Sequence, residues 1–360
     1  MYRTVVLVLV LLAGCQPFYV RTDNRVAVAG PVETRVLGPV ETRISTDLPP
    51  VNPAAGRVRP VVVRTGTVAA RVAVVDVDGL ILNTPFAGLL SVGENPVAVF
   101  REKLDAIEAD GGVVAVVLRV NSPGGGVAAC QAMRRDLERF KQRTNLPVVA
   151  CLLDTATGGA YYLASAADRI VTGPATVTGG LGVILNLYNL QDLMAQFNIL
   201  PQPVQAGKLT DIGTSARALK PEEKELLQAM ADEFHRQLRD GVVRSRPKVD
   251  TAESTFDGRI FTGTQALARG LADRTGDLDD AIELAFELAC GSPAQLPGRP
   301  EVVLYRRAND PAHSVYAVTA NIPLQGVGLF PSIPGLDRSK LPTFLSVWQP
   351  EVTLEKLAGK

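Results

Sequence analysis

The stretch "PVVACLLDTATGGAYYLASAADRIV", Pro147–Val171, decides how the chain is read. An apolar, β-branched run from Pro147 to Leu153 meets a Gly-rich turn, Thr155–Ala160, and then small residues and tyrosines that suit a helix. This is the build of a strand-to-helix elbow, which presents a nucleophile at the carboxyl end of a strand. The tip reads Thr157-Gly158-Gly159, where a serine is expected. Asp154 and Asp168 flank the elbow, and Tyr161 and Tyr162 follow it.

The same alternation extends on both sides. "RVAVVDVDG" (71–79) and "GVVAVVLRV" (112–120) read as strands; "PVAVFREKLDAIEAD" (96–110) and "VAACQAMRRDLERFKQR" (127–143) read as amphipathic helices. Strands apolar on both faces and separated by helices predict an α/β fold with a mainly parallel sheet flanked by helices. Ligands of such sheets collect at the carboxyl ends of the strands, where both "NSPGGG" (121–126) and "TATGGA" (155–160) fall. In "LRVNSPGGGVAA" (118–129), Gly124 and Gly125 let backbone N–H groups approach a ligand at a helix start, the geometry of an oxyanion hole or peptide-binding edge. No Gly-Lys-Ser/Thr and no complete G-x-G-x-x-G follows, so a phosphate loop is the weaker reading, beside a plain tight turn.

Composition adds boundaries. With 37 basic and 37 acidic side chains in 360 residues, no net field favours nucleic acid as a partner. "MYRTVVLVLVLLAGCQ" (1–16) has an apolar run too short for a bilayer-spanning helix of ~20 residues, yet suited to a secretory leader. "LLAGC" is similar to the lipobox of bacterial lipoproteins, which makes Cys15 the expected lipidation site, with an ordinary leader as the alternative. The expected organisation is a leader over 1–14, a lipidated and flexible tether over 15–66, a catalytic-type domain over 67–290 and a C-terminal extension over 291–360. The tether, rich in Pro, Arg and Thr, would reach ~40 Å. Cys130, Cys151 and Cys290 remain, an odd number that argues against a disulfide framework, and no Cys/His spacing suits a metal. No cofactor is expected.

The motifs "AVVLRVNSPGG" (115–125), Pro147–Val171, "VTGGLGVI" (177–184), "DIGTSARALKPEEK" (211–224) and "RIFTGTQALARGLADRTGDLDDAI" (259–282) stand in the order and spacing of the signal peptide peptidase A family. The resemblance covers about Val68 to Leu288. It implies a Clp protease/crotonase-like core of repeated ββα units, assembly into a ring or dome, and peptide substrates such as remnant signal peptides. Active members join a serine nucleophile to a lysine base.

Carried over residue by residue, the family's nucleophile position in its A-A-S-G-G-Y-Y elbow is Gly158. The lysine of G-x-x-K-D-x-G is replaced by Thr210 in "GKLTDIG" (207–213), and the helper serine of T-G-S-I-G-V by Gly180. Glycine supplies no atom to form an acyl bond, so the family's relay is missing three groups together. Thr157 and Lys208 are the substitute candidates if the turn shifts by one residue. His235, His313, Ser122 and Ser165 offer no triad: their settings read as surface, turn or helix positions.

The expectation is an exported pseudopeptidase of the bacterial cell envelope, lipid-anchored and facing the periplasm or exterior. It would bind peptides, and form homo-oligomers or assemble with an active relative. Two alternatives stay open: an endopeptidase using Thr157, and a crotonase-type enzyme acting on acyl-thioesters.

Overall fold

Valine and isoleucine crowd the strands because a branched Cβ suits a pleated surface that is packed on both sides. β2 (Arg71–Ile81), β3 (Val113–Gly126), β4 (Val148–Thr157) and β5 (Arg169–Thr172) lie side by side and parallel, and β8 (Arg274–Thr275) pairs with β5. One row across this sheet is Val75, Leu118, Ala150 and Ile170, in register and all buried on one face. The neighbouring row, Val74, Val117 and Val149, is buried on the other. Helices α1 (Pro96–Ala109), α2 (Val127–Thr144), α3 (Gly159–Ala164) and the long α5 (Pro221–Ser245) cover the first face. The second is covered by α8 (Leu278–Cys290) through Leu278, Ala281, Ile282 and Ala285. Short helices α4 (Gln191–Gln196), α6 (Glu253–Phe256) and α7 (Gly263–Ala268) and the antiparallel pair β6 (Val177–Gly179) and β7 (Ile260–Thr262) complete the domain side of the site.

Helix boundaries follow local chemistry. The Asn95 side chain accepts the N–H of Val97 at 3.0 Å, and Pro96 opens α1 where no N–H is needed. Asp277 accepts the N–H groups of Asp279 and Asp280 at 2.9 and 3.0 Å to start α8. The helix ends in the left-handed Gly291.

This computed structural model describes residues 56–84, 94–291, 298–307, 310, 312–317 and 344–348. By compactness the chain divides into Met1–Asp47 and Leu48–Lys360, and every described residue belongs to the latter. The expected leader, Cys15 and most of the tether lie outside the described residues.

The mainly parallel sheet with flanking helices agrees with the α/β expectation, but its edges do not follow the expected boundaries. Arg59–Arg64, placed in the tether, forms β1 and pairs antiparallel with β9 (Glu301–Arg306). β9, placed in the extension, is itself an integral strand parallel to β2, with Val302 and Leu304 fully buried opposite Val72 and Val74. A second strand from the extension, β10 (Leu345–Val347), pairs with the end of β3. "PEVVLYRR" (300–307) reads as a strand by itself, and Glu301–Arg306 is one, but each of these pairings joins residues far apart in sequence, so no local periodicity announces it. The turn expected at "NSPGGG" is likewise absent: the backbone stays extended to Gly126 and α2 begins at Val127.

Candidate functional site

β3 and β4 diverge at their carboxyl ends. The last register pair between them joins Ser122 to Ala156, while Thr155, Ala156 and Thr157 pair with β6 on the other edge of β4. The cleft that opens is lined by Pro123–Gly126 on one side, the elbow at its floor, and Gly182–Ile184 opposite.

The elbow has the backbone expected of it. Thr157 is the last residue of β4, Gly158 adopts φ +54° and ψ −122°, and α3 starts at Gly159. The φ of Gly158 lies where a side chain is strained, which glycine avoids. Its N–H donates to the Gly179 carbonyl at 2.8 Å, and its own carbonyl accepts from the N–H of Tyr162 at 3.0 Å. Gly158, not Thr157, therefore tops the turn. Gly180, also at positive φ (+60°), stands beside it: a Cβ there would lie 3.5 Å from the Gly158 nitrogen and 3.2 Å from the Thr157 Cβ.

Thr157 is fully buried, and its hydroxyl donates to the Pro123 carbonyl at 3.0 Å, tying the elbow to the end of β3. Lys208, the base proposed to serve it, is elsewhere: its side chain is 74% exposed and its ammonium pairs with Glu222 at 3.1 Å. The structure does not bring Thr157 and Lys208 together. A lysine drawn to a surface carboxylate stays solvated, whereas reaching a buried hydroxyl would strip its water. Thr210 is exposed as well, and its hydroxyl closes its own turn onto the carbonyls of Ala206 and Gly207 at 2.8 and 3.0 Å.

Most of the remaining candidates have structural partners. Ser122 accepts the Gly124 N–H at 3.1 Å, and Ser165 donates to the Tyr162 carbonyl at 2.8 Å. Asp168 accepts the Val148 N–H at 2.8 Å and pairs with Lys141, while Asp154 is exposed. His235, on α5, sits 2.6 Å from the Phe256 carbonyl; His313 is exposed. Tyr161 is buried and donates to the Leu271 carbonyl at 2.7 Å; Tyr162 lies under the Arg134 guanidinium, 4.5 Å from ring centre. Burial raises both phenols above the ordinary tyrosine range, so both stay protonated. Cys130 packs behind the elbow, where a Cβ on Gly159 would meet its Sγ at 2.3 Å. Burial pushes that thiol up to about 12, which keeps it neutral and unreactive.

Sequence reasoning likens "LPTFLSVWQP" (341–350) to a closing segment of some family members, but it does not show that Phe344–Trp348 fills the cleft. Leu345 pairs opposite Gly126, Ser346 opposite Gly125 and Val347 opposite Gly124, antiparallel to β3. On the other side Leu345 and Ile184 exchange both backbone hydrogen bonds, at 2.9 and 3.0 Å. Ser346 is buried, and its hydroxyl donates to the Gly182 carbonyl at 2.9 Å. The β-prone run "TFLSVW" (343–348) was the available signal.

Chemically, the cleft offers two strand edges that hold an extended backbone, glycine N–H groups at a helix start, and an elbow whose tip carries no side chain. Residues 140–290 match the family model for peptidase family S49. The chain is 31% identical over 237 residues to a chloroplastic serine protease SPPA of Arabidopsis thaliana, covering 65% of this chain and 34% of that protein. It is 29% identical over 209 residues to a putative signal peptide peptidase SppA of Enterococcus faecium, covering 58% and 60%. Protease 4 of Salmonella typhi is 32% identical over 178 residues, covering 49% and 28%. The chain thus spans less than two thirds of the length of each.

Proposed function

The chain belongs to peptidase family S49, the signal peptide peptidase A family, and on that premise we propose that it binds extended peptides without cleaving them. One observation carries this reading: the nucleophile elbow keeps its strand, its turn and its helix, but at its tip stands Gly158. Acyl transfer needs an atom that bonds to the carbonyl carbon and a base that takes its proton. The tip supplies neither, and Thr210 at the base position is an exposed hydroxyl engaged in its own turn. The glycine edge of β3 and the Gly182–Ile184 edge hold a strand laid between them, the geometry of recognition by β-addition.

The test is a cleavage and binding assay on unstructured peptides with the full chain beside Thr157→Ala. Binding without turnover in both proteins is expected. Turnover by the parent that disappears in Thr157→Ala would overturn the reading in favour of a threonine peptidase. Failure to bind any peptide would also overturn it. Hydrolysis or hydration of acyl-thioesters would move the chain to the crotonase-type alternative.

The proposal extends to placement and assembly. The sequence at 1–16 supports an exported protein lipidated on Cys15 and held at the bacterial envelope, facing periplasm or exterior; loss of labelled-lipid incorporation in Cys15→Ser tests it. Between Tyr188 and Val204, the exposed Phe197, Ile199 and Leu200 support self-association or assembly with an active relative. A Phe197→Glu, Leu200→Glu variant of unchanged mass in light scattering would remove that support.

A further inference from the structure

The cleft already holds a peptide, and that peptide is part of the chain. We infer that Phe344–Trp348 is the resident ligand of the groove, laid with the Ser346–Val347 peptide bond over the elbow, and that glycine at 158 and 180 fits the site to this occupant. This rests on the peptide-groove reading above and names the ligand.

The segment is held as a strand on both sides. Besides the pairing with Gly124–Gly126 and with Ile184, its ends are pinned: the Val127 N–H donates to the Phe344 carbonyl at 3.3 Å, and the Trp348 N–H to the Pro123 carbonyl at 3.1 Å. Its side chains are seated too. Phe344 packs edge-on against Phe234 with ring centres 5.0 Å apart, Leu345 joins Leu80 and Leu82, and the Ser346 hydroxyl reaches Gly182. The groove so filled selects an extended segment with an aromatic residue, leucine, a small hydroxyl residue and valine in succession.

The elbow faces one peptide bond of that segment. A Cβ built on Gly158 would lie 2.5 Å from the Ser346 oxygen, 2.7 Å from its carbonyl carbon and 3.0 Å from the Val347 nitrogen. Those three atoms are the peptide unit itself, in the place where a serine nucleophile would meet a scissile bond. A Cβ on Gly124 would come within 2.1 Å of the same oxygen, and one on Gly180 within 3.0 Å of the Trp348 Cβ. Such separations are far inside van der Waals contact, so any side chain at 158 expels the segment or forces the elbow apart. The glycine that removes the nucleophile also makes room for the backbone that takes its place.

An added peptide must then displace the resident one, and its apparent affinity falls by the fraction of grooves left open. Trp348 is the chain's one tryptophan, so its emission reports the seat. The experiment uses the full chain and two variants. Leu345→Pro removes the N–H that donates to Ile184 without altering the groove, and Gly158→Ala puts a methyl group under Ser346. Emission, acrylamide quenching and far-ultraviolet circular dichroism are recorded across a dilution series. Binding of a fluorescein-labelled peptide of sequence LPTFLSVWQP is followed by anisotropy. In the parent, Trp348 is expected to be shielded at every protein concentration, and in both variants to shift to the red and quench more strongly. Leu345→Pro should bind the labelled peptide about tenfold more tightly than the parent, because its groove is open. Equal quenching of Trp348 in all three proteins would overturn the inference, as would a Leu345→Pro protein with native dichroism that binds the peptide no more tightly. Shielding that vanishes on dilution assigns the strand to a second copy and overturns occupancy within one chain. Because none of these readouts is turnover, they stand or fall separately from the absence of cleavage.

Discussion

Gly158 and Thr210 stand where the sequence resemblance puts the two ends of one proton relay, yet the molecule supports them in opposite ways. The elbow is buried and braced from every side: Gly158 to Gly179, Thr157 to Pro123, and α3 by Arg134. The segment around Thr210 is exposed from Pro201 to Thr210, and its buried anchor follows it, where Arg217 holds Asp211 and the buried Glu223 at 2.8 and 2.7 Å. None of the braces at the elbow involves a side chain at position 158. The backbone shape of the elbow is therefore separable from any side chain at its tip: core packing alone holds it.

That contrast can be broken by substitution, beginning where the largest effect is expected. Gly125→Ala would set a Cβ 2.0 Å from the Ile81 carbonyl oxygen, a clash with backbone that no rotamer relieves. It should cost on the order of 4 kcal/mol in urea unfolding, or prevent folding. Arg134→Ala comes next. Its guanidinium donates to the carbonyls of Tyr162 and Gly241 and to the Ser165 hydroxyl, at 2.6, 3.2 and 2.6 Å. Removing so many buried bonds should lower stability by about 3 kcal/mol, and hydrogen exchange should quicken in α3 before the rest of the sheet. Thr157→Val keeps the shape and deletes the bond to Pro123, for about 1 kcal/mol. If Thr157 were a nucleophile, the same variant would change turnover more than stability. Smallest is Lys208→Ala, whose ion pair with Glu222 is solvent-exposed; a midpoint shift worth about 0.5 kcal/mol or less is expected. A larger loss at Lys208 than at Thr157 would reverse the comparison.

The sequence shows the middle of the molecule more clearly than its margins. From Arg71 to Cys290 the alternation of valine-rich runs and amphipathic stretches leads to the observed strands and helices, because each element is buried by neighbours of the same local pattern. β1 and β10 escaped, and β9 was legible as a strand but not in its place, because each pairs with an edge supplied by a remote part of the chain. At the site, the replacements at 158, 180 and 210 are legible as letters. What they accompany is not: Gly158 and Gly180 flank a backbone that arrives from position 346 onward, and only coordinates join them. Lys208 looked like a neighbour of the elbow because it is two residues from Thr210, but the chain there turns outward and spends the charge on Glu222.

The place of β9 between β1 and β2 has a consequence for how the molecule is made. Synthesis runs from the N-terminus, so β2 and β1 emerge more than two hundred residues before Glu301–Arg306, the strand that joins them. Until then β2 has an open, apolar edge in a sheet otherwise ready to form, a surface prone to mispairing. Contacts of such sequence separation also slow folding, because a long loop must close before they form. The joining of β1 to β2 therefore waits for residues past 300, and a nascent protein truncated before Glu301 would hold its core strands without the one that links these two.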